Sequence, residues 1–298
     1  MRRSRGKILR ALLAGAIAGV SVVPLPAAEA AASVPAVTLV GAGDIASCRS
    51  MGDGQTAALL DGLKGTVFTT GDNAYGNGTP SQYNNCYGPT WGRHKSRTRP
   101  TPGNHDYLTE DAAGYFGYFG DTAGTPGRGW YAYNRGAWRM YALNSNCDAI
   151  GGCWVGSAQE RWLRADLAAN PHECVMAYWH HPRFSSGRHG NELVVRGLWK
   201  TLYAAGADIV VNGHDHDYER FAPQGWSGTA DPVGIREFVV GTGGRGHYPR
   251  ATVQPNSEAW DETSYGVLKL VLGDGWYRWH FIPAGTSTFR DSGSTDCH

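Results

Sequence analysis

Short apolar runs separated by polar segments dominate the chain from residue 37 onwards, and most of these runs have the length of a buried β-strand. We expect strands at 37–40, 66–70, 97–101, 174–179, 208–211, 237–240, 266–272 and 276–282. Two further runs, 130–134 and 138–144, flank Arg135-Gly136 and predict a β-hairpin.

Helices are expected between several of these strands. Residues 55–63 and 191–205 are predicted to be helical. The sequence Ser157-Ala158-Gln159-Glu160 has the pattern of a capping box and predicts a helix that extends to about Ala169. Strands interleaved with helices indicate an α/β fold of the α+β type, in which mixed sheets are covered by helices.

The first 32 residues differ from the rest of the chain. Five basic residues within 1–10 precede an apolar run at 11–23 and a mostly small-residue stretch at 27–32. This order is typical of a secretory signal peptide cleaved after Ala30 or Ala32, and the apolar run is short for a membrane anchor. We therefore expect a leader at 1–32, a folded domain at 33–298 and secretion. The general route is preferred to the twin-arginine route, because the residues around Arg2-Arg3 fit the latter poorly.

Removal of this leader would change the net charge. The whole chain has a formal charge of +1, and loss of five basic residues together with Glu29 lowers it to −3. A mildly acidic protein has no basic surplus, which argues against general nucleic-acid binding. No stretch after the leader is long and apolar enough to predict a membrane span.

All six cysteines follow the leader, and an even number in an exported chain indicates disulfide bonds. Cys147 and Cys153 bracket a short loop that contains Gly151-Gly152, and we expect them to pair. The other four allow three pairings, between which the sequence does not decide: Cys48, Cys86, Cys174 and Cys297. The chain has no Cys-x-x-Cys, so a cysteine metal site is the weaker interpretation.

Polar residues with metal-binding side chains follow several of the expected strands. They are Asp44, Asp72, Asn104, His180 and His214. In sheets with helical crossovers, ligands gather beyond the carboxyl ends of the strands, so these five positions predict one shared site. Each residue alone is as readily a helix cap, a turn former or a hydrogen-bonded histidine. Turn formation alone does not explain why five such residues follow five expected strands.

The set matches the needs of two neighbouring cations. Carboxylate, imidazole, amide and phenolate groups bind hard or borderline ions, and a bridging carboxylate holds two ions about 3.5–4 Å apart. Tyr75 adds a phenol close to Asp72, and His216 lies two residues after His214. On an extended segment these two imidazoles share a side, where they serve adjacent metals.

Five motifs resemble those of the calcineurin-like metallophosphoesterase family, in the same order. They are Gly43-Asp44, Gly71-Asp72-Asn73-Ala74-Tyr75, Gly103-Asn104-His105-Asp106, His180-His181-Pro182 and Gly213-His214-Asp215-His216. Within the family they are most similar to the purple acid phosphatases, because Tyr75 completes a GDxxY motif and Asp44-Ile45-Ala46 lacks the histidine of the usual D-x-H. Ala46 stands where the purple enzymes commonly have glycine.

The resemblance extends to 265–270 and 288–292 and so covers nearly all of 33–298. It implies that this segment is the catalytic domain, a four-layer α/β/β/α sandwich of two mixed sheets flanked by helices. It also implies two metal sites that share Asp72. Metal one would be held by Asp44, Asp72, Tyr75 and His216, and metal two by Asp72, Asn104, His180 and His214.

The choice of ligands and metals also follows from the resemblance. His180 is preferred to His181, since the family ligand lies two residues before the proline. A phenolate favours Fe(III), a hard ion, at metal one, whereas metal two would be Zn(II), Mn(II) or Fe(II). The implied reaction is hydrolysis of small phosphate monoesters by attack of a metal-bound hydroxide. His105 and His189 are the expected proton donors and substrate contacts, with Asp106 orienting His105.

Arginines complete the expected site. Arg183 and Arg245 are expected to bind substrate, and Arg188 and His247 are further candidates at the rim. The rim also decides between this interpretation and a phosphodiesterase of the same fold that acts on nucleotides or lipid headgroups. A third interpretation is a dimetal hydrolase without iron, and a fourth is a secreted binding protein that has lost catalysis. The presence of all ligand residues disfavours the fourth. The sequence leaves the oligomeric state open.

Overall fold

The computed structural model describes Gly15 and residues 34–298, so the expected leader at 1–32 lies, apart from Gly15, outside the described residues. The strands are β1 (Val37–Ala42), β2 (Ala46–Ser47), β3 (Thr66–Thr70), β4 (Ala74–Tyr75), β5 (Thr98–Thr101), β6 (Tyr131–Arg135), β7 (Trp138–Ala142), β8 (Cys174–Tyr178), β9 (Ile209–Asn212), β10 (Tyr218–Phe221), β11 (Arg236–Val240), β12 (Ser257–Asp261), β13 (Gly266–Leu272), β14 (Trp276–Pro283) and β15 (Ser292–Asp296). The α-helices are α1 (Gly52–Gly62), α2 (Pro80–Gln82), α3 (Ala113–Phe119), α4 (Ala158–Ala169) and α5 (Arg196–Ala204).

Two mixed sheets form the centre of the fold. The first sheet has the strand order β15-β14-β13-β1-β3-β5, and the second has the order β12-β10-β11-β9-β8-β7-β6. In the first sheet β1, β3 and β5 run parallel, and in the second sheet β7, β8, β9 and β11 do so. The remaining pairs within each sheet are antiparallel. The strands β2 and β4 make a separate short parallel pair.

Side-chain alternation along the second sheet separates two hydrophobic cores. Met176 of β8 belongs to a large cluster that includes Leu268 of β13 and so joins the two sheets. The preceding residue, Val175, belongs to a second cluster with Leu163 of α4 and Leu198 of α5. Helix α1 contacts β13 of the first sheet. The structure therefore confirms the expected four-layer arrangement of two mixed sheets flanked by helices.

Most expected strands and helices are confirmed, including the hairpin of β6 and β7. The helix expected at 191–205 begins only at Arg196. Its first residues are held in a loop, because the Asn191 side chain accepts a hydrogen bond from the Ser185 backbone and the Glu192 backbone donates to the Pro182 carbonyl. Strands β2, β4, β10, β12 and β15 were not expected. The first two are only two residues long, and β12 and β15 lie at sheet edges, where a polar strand needs no apolar pattern.

Three disulfide bonds link the described residues: Cys48–Cys86, Cys147–Cys153 and Cys174–Cys297. The pairing expected from the short Gly-Gly loop is confirmed, and the other two bonds select one of the three pairings that the sequence allows. Three disulfides are typical of a protein from an extracellular or otherwise oxidising environment. None of the helices described here combines the length and apolarity that crossing a membrane requires.

Candidate metal centre

The carboxyl ends of parallel strands from both sheets meet at one end of the sandwich. Asp44, Asp72 and Asn104 follow β1, β3 and β5 of the first sheet, whereas His180 and His214 follow β8 and β9 of the second. Hydrogen bonds join the two sets directly. The His214 backbone N–H donates to Asp44 Oδ2 at 2.8 Å, and His180 Nδ1 lies 2.8 Å from the Thr70 carbonyl oxygen at the end of β3.

Tight turns direct these side chains into the space between the sheets. Asp44, Asp72 and His214 have φ angles of 59°, 50° and 72°, which few residues other than glycine adopt. A glycine precedes each of them. The glycine before Asn104 has a different role, since a Cβ atom on Gly103 would lie 2.1 Å from Asp72 Oδ1. Several positive-φ residues around one point are a feature of functional sites.

Three side chains surround the Tyr75 hydroxyl, and together with Tyr75 they form what we call the Tyr75 group. The hydroxyl oxygen lies 2.7 Å from Asp44 Oδ1, 2.8 Å from Asp72 Oδ2 and 3.2 Å from His216 Nε2. Asp44, Asp72, Tyr75 and His216 are all buried. These are the four residues expected at metal one, and the structure brings them together.

A second set, which we call the Asn104 group, lies around His180. The Nε2 atom of His180 lies 2.9 Å from Asn104 Oδ1, 3.2 Å from His214 Nδ1 and 3.5 Å from Asp72 Oδ1. These are the residues expected at metal two. The two oxygens of Asp72 therefore face different groups, which is the arrangement of a bridging carboxylate.

Hydrogen bonds at the outer edge of the cluster turn the second nitrogen of two imidazoles inward. His180 Nδ1 faces the Thr70 carbonyl oxygen and His216 Nδ1 faces the Gly246 carbonyl oxygen, so each ring donates outward and presents Nε2 to the cluster. Within the Tyr75 group, one phenol proton faces two carboxylate oxygens and an imidazole nitrogen. Acceptors that converge with so few donors fit cations, and the donor types suit hard or borderline metals.

Burial and charge set the protonation of these groups. Burial raises the pKa of the Tyr75 phenol well above its usual value, and the negative charges of Asp44 and Asp72 add to the rise. Burial lowers the pKa of His214 well below its usual value, and the neighbouring His181 and His180 lower it further. Both effects favour the neutral imidazole of His214, which is the form that binds a metal.

His181 lies closer to the cluster than expected. Its ligating atom and those of His180 and His214 all lie within 4.8 Å of one another. The Ser145 hydroxyl lies 2.8 Å from His181 Nδ1 and so occupies that nitrogen. The preference for His180 rests on its contact with Asn104 and Asp72, which both belong to the Asn104 group.

His105 lies beside the Tyr75 group. Its backbone N–H donates to Asp72 Oδ1 at 2.8 Å, and its ring packs 4.5 Å from the Tyr75 ring. The structure differs from the prediction at Asp106, whose buried carboxylate is bonded to Gly103, Asn73 and Tyr83 rather than to the His105 ring. His105 Nδ1 faces the Gly76 carbonyl oxygen instead. Asp106 thus braces the loop that carries Asn104, and burial with the charge of Asp72 raises its pKa to about 6.

His189 lies beside the Asn104 group, with its ring centre 4.2 Å from that of His214. Its partner, Asp215, was not expected. One oxygen of this buried carboxylate lies 2.8 Å from the His189 backbone nitrogen and 2.9 Å from His189 Nδ1, and the other accepts from the Ser185 hydroxyl at 2.6 Å. The position of Asp215 between two expected ligands was a signal in the sequence.

The structure places the two arginines that were expected to bind substrate in different surroundings. The Arg245 guanidinium lies 5.2 Å from the Tyr75 ring centre, beside the Tyr75 group. Arg183 is buried elsewhere, where its guanidinium packs 4.2 Å from the Phe184 ring and its backbone N–H donates to the Glu237 carboxylate. These contacts correct the expectation that Arg183 belongs to the rim.

Tyr248 was not predicted from the sequence, yet it covers part of the site. Its ring stacks on His216 at 4.1 Å, and the exposed Arg188 lies 5.1 Å from its centre. Rim candidate His247 is turned toward Tyr265, at a ring distance of 4.5 Å. The loop after β11 thus contributes to the site through Tyr248 and Arg245.

Comparison with known sequences identifies relatives of this site. A sequence model described as calcineurin-like phosphoesterase matches residues 39–218, which include all the expected metal ligands. Purple acid phosphatase 18 from Arabidopsis thaliana is 31% identical over 125 residues, which are 39% of this chain and 28% of that protein. An uncharacterised protein from Mycobacterium tuberculosis is 29% identical over 198 residues, or 59% of this chain and 34% of its own length. The chain thus spans about a third or less of these two relatives.

Solved structures share the fold at low sequence identity. A purple acid phosphatase from yellow lupin seeds superposes with a TM-score of 0.72 at 18% identity, covering 88% of this chain and 54% of that one. GAP50, described as the anchor in the inner membrane complex of Plasmodium, gives a TM-score of 0.70 at 13% identity, covering 88% of this chain and 89% of that one. The confirmed sandwich is therefore a fold that these proteins share.

Proposed function

Since the chain belongs to the calcineurin-like phosphoesterase family, whose members are metal-dependent phosphoester hydrolases, we propose that it is a secreted phosphatase that hydrolyses phosphate monoesters. One observation carries the proposal. The oxygens of Asp72 face two groups of metal-binding side chains, one around Tyr75 and one around His180. Enzymes that hydrolyse phosphate esters commonly use two adjacent cations that share a carboxylate ligand.

The ligand assignment follows the two groups. Asp44, Asp72, Tyr75 and His216 would hold one cation, and Asp72, Asn104, His180 and His214 would hold the other. A buried phenol with a strongly raised pKa needs a high positive charge to ionise, which supports Fe(III) beside Tyr75. The amide and imidazole donors of the Asn104 group support Zn(II), Mn(II) or Fe(II). When bound, the pair supplies positive charge for the phosphate oxygens and activates water as the nucleophile.

The protein's own residues supply orientation and protons. His105 lies beside the Tyr75 group, where it would bind a phosphate oxygen. Asp215 holds His189 through Nδ1, and in the imidazolium form of the ring the other nitrogen, Nε2, carries the proton that passes to the leaving oxygen. The exposed position of His189 beside His214 suits a contact with substrate.

The leader expected at 1–32 completes the proposal of secretion. Three disulfides support an oxidising environment. Expression of the full chain in a secreting host tests this directly. Mature protein in the medium with its first residue at Ala31 or Ser33 supports the leader, and retention of Met1 in the cell contradicts it.

Rates on an aryl phosphate monoester and the matching aryl diester test the activity. We expect faster hydrolysis of the monoester, loss of activity after chelation and recovery when metal is restored. Faster hydrolysis of the diester would favour a phosphodiesterase. Absence of hydrolysis of both by metal-loaded protein would favour a binding protein.

A further inference from the structure

Two clefts of opposite character flank the cluster of metal-binding residues. The first has a volume of about 470 Å³, and Tyr75, Arg49, Arg245 and Gln82 contribute to its lining. We call it the arginine cleft. The second has a volume of about 440 Å³ and lies next to the Asn104 group. Its lining includes Asn104, Asp148 and Glu192. We call it the acidic cleft.

The arginine cleft has positive charge without matching negative charge in its lining. None of the described residues that line it is Asp or Glu. Nor does Arg49 or Arg245 form an ion pair anywhere in residues 34–298. A guanidinium presents several N–H donors in a plane that matches carboxylate and phosphate oxygens, so two unpaired guanidiniums in one cleft suit an anion.

Hydrogen bonds hold Arg245 and Gln82 at this cleft. The Arg245 backbone N–H donates to the Asp44 carbonyl oxygen at 2.8 Å, and its guanidinium lies 5.2 Å from the Tyr75 ring centre. The Gln82 side-chain oxygen accepts from the Asn77 and Thr79 backbones at 3.0 and 3.1 Å. Its amide NH₂ group is thereby left as a further donor at the cleft.

The acidic cleft has the reverse character. Asp148 and Glu192 line it, and no Lys or Arg is among its described lining residues. The exposed Leu108 and the half-buried Tyr107 add apolar surface there. A second negative charge on a substrate would be repelled by the acidic cleft and attracted by the arginine cleft. The two clefts would therefore favour one orientation of the bound substrate.

On the basis of the phosphatase function proposed above, we propose that the arginine cleft binds a second anionic group of the substrate. The substrate class is a phosphate ester that carries a carboxylate or another phosphate near the phosphate to be hydrolysed. Arg49 and Arg245 are the residues that recognise this second group. Neutral parts of the substrate lie toward the acidic cleft.

Pairs of substrates that differ only in one charge test the proposal. We would measure kcat/KM for the ortho, meta and para isomers of carboxyphenyl phosphate, each against its carbamoylphenyl counterpart. For at least one isomer we expect the metal-loaded enzyme to prefer the carboxylate about tenfold, the effect of one good charge-assisted contact. The variant Arg49→Gln/Arg245→Gln should lower this ratio to about one, and Arg49→Lys/Arg245→Lys should retain a preference.

Arg278→Gln is the matched control, because Arg278 is an exposed arginine on β14, away from both clefts. It should leave the ratio unchanged. A wild-type enzyme that shows no preference for any isomer would overturn the proposal. So would a preference that survives in the double glutamine variant.

Binding of the corresponding non-hydrolysable phosphonates, measured by calorimetry, separates this proposal from the phosphatase function. If no substrate is turned over but the carboxylated phosphonate binds more tightly in an arginine-dependent way, the cleft is supported and the phosphatase function is wrong. If the carbamoyl substrates are hydrolysed but neither assay shows a charge preference, the phosphatase function is supported and the cleft proposal is wrong.

Discussion

The two sheets contribute different chemistry to the same site. The first sheet supplies oxygen donors, from Asp44, Asp72 and Asn104 at the ends of β1, β3 and β5, with Tyr75 on β4 nearby. The second sheet supplies imidazoles, from His180 and His214 at the ends of β8 and β9 and from the adjacent His216. Each of the two groups contains donors from both sheets, so neither sheet alone forms a metal site.

This division shows that the site depends on how the sheets pack. Beside the bonds between Asp44 and His214 and between Thr70 and His180, the Gly43 backbone donates to the Val240 carbonyl oxygen at 2.9 Å. The inter-sheet hydrophobic cluster brings the strand ends together, and these hydrogen bonds set their register. The comparison predicts that loss of a shared residue is worse than loss of a residue that serves one group.

Asp72→Ala should have the largest effect, because Asp72 is the only residue that contributes to both groups among those we assign. We expect activity to fall at least about 1,000-fold and both metals to be lost. Steady-state kinetics and metal analysis would measure this. Asp121→Ala, which removes an exposed carboxylate, is the control. Near-normal turnover in Asp72→Ala would contradict the bridge.

Variants that each lack one imidazole test the two ligand groups separately, because His216 and His180 come from the same sheet but belong to different groups. We expect His216→Ala and His180→Ala each to lower activity about 100-fold or more and to reduce the metal content from two ions to about one. Metal analysis of the purified variants would check this, with His172→Ala as the control. If both variants kept two ions, the assignment to separate groups would be wrong.

Asp215→Asn tests a residue that acts through His189. The carboxylate fixes His189 Nδ1, so we expect kcat to fall about tenfold, within the range usual for loss of such a supporting contact. The loss should be greater for alkyl than for aryl phosphates, because a poor leaving group depends more on a proton donor. In His189→Gln the further change Asp215→Asn should add little. Fully additive losses would show that Asp215 acts independently of His189.

Tyr75→Phe should have the smallest effect on rate, because Asp44, Asp72 and His216 remain. Its effect on colour should be large. We expect the wild-type protein to show a broad visible band from charge transfer between tyrosinate and Fe(III), and the variant to lose it. A colourless, fully active wild-type protein that contains only zinc or manganese would contradict the ferric assignment while leaving hydrolysis intact.

Local signals made the central strands and their ends predictable. The buried strands β1, β8 and β9 are mostly apolar, and β3 has Val67 and Phe68 between threonines. Gly-Asp or Gly-His follows β1, β3 and β9. Since each turn residue and its ligand are adjacent in sequence, the motif carried both the backbone conformation and the chemistry. The family resemblance rested on these motifs and is confirmed by the family match at 39–218.

Contacts between distant segments were not predictable in the same way. Asp106 turned out to brace Tyr83 and Asn73, and Arg183 to pack on Phe184, because the surrounding loops bury both side chains. The edge strand β15 is polar and is defined by its pairing with β14. The arginine cleft likewise joins residues that are far apart in the chain, and only the packed structure brings Arg49 and Arg245 to one surface.

Anomalous diffraction from crystals of the purified mature protein tests the shared Asp72 bridge most directly. We expect two peaks about 3.5–4 Å apart on either side of Asp72. One should lie beside the Tyr75 oxygen and the other beside the Asn104 side-chain oxygen. A single peak, or metal bound only away from Asp72 in protein prepared with iron and zinc present, would contradict a two-metal centre bridged by this carboxylate.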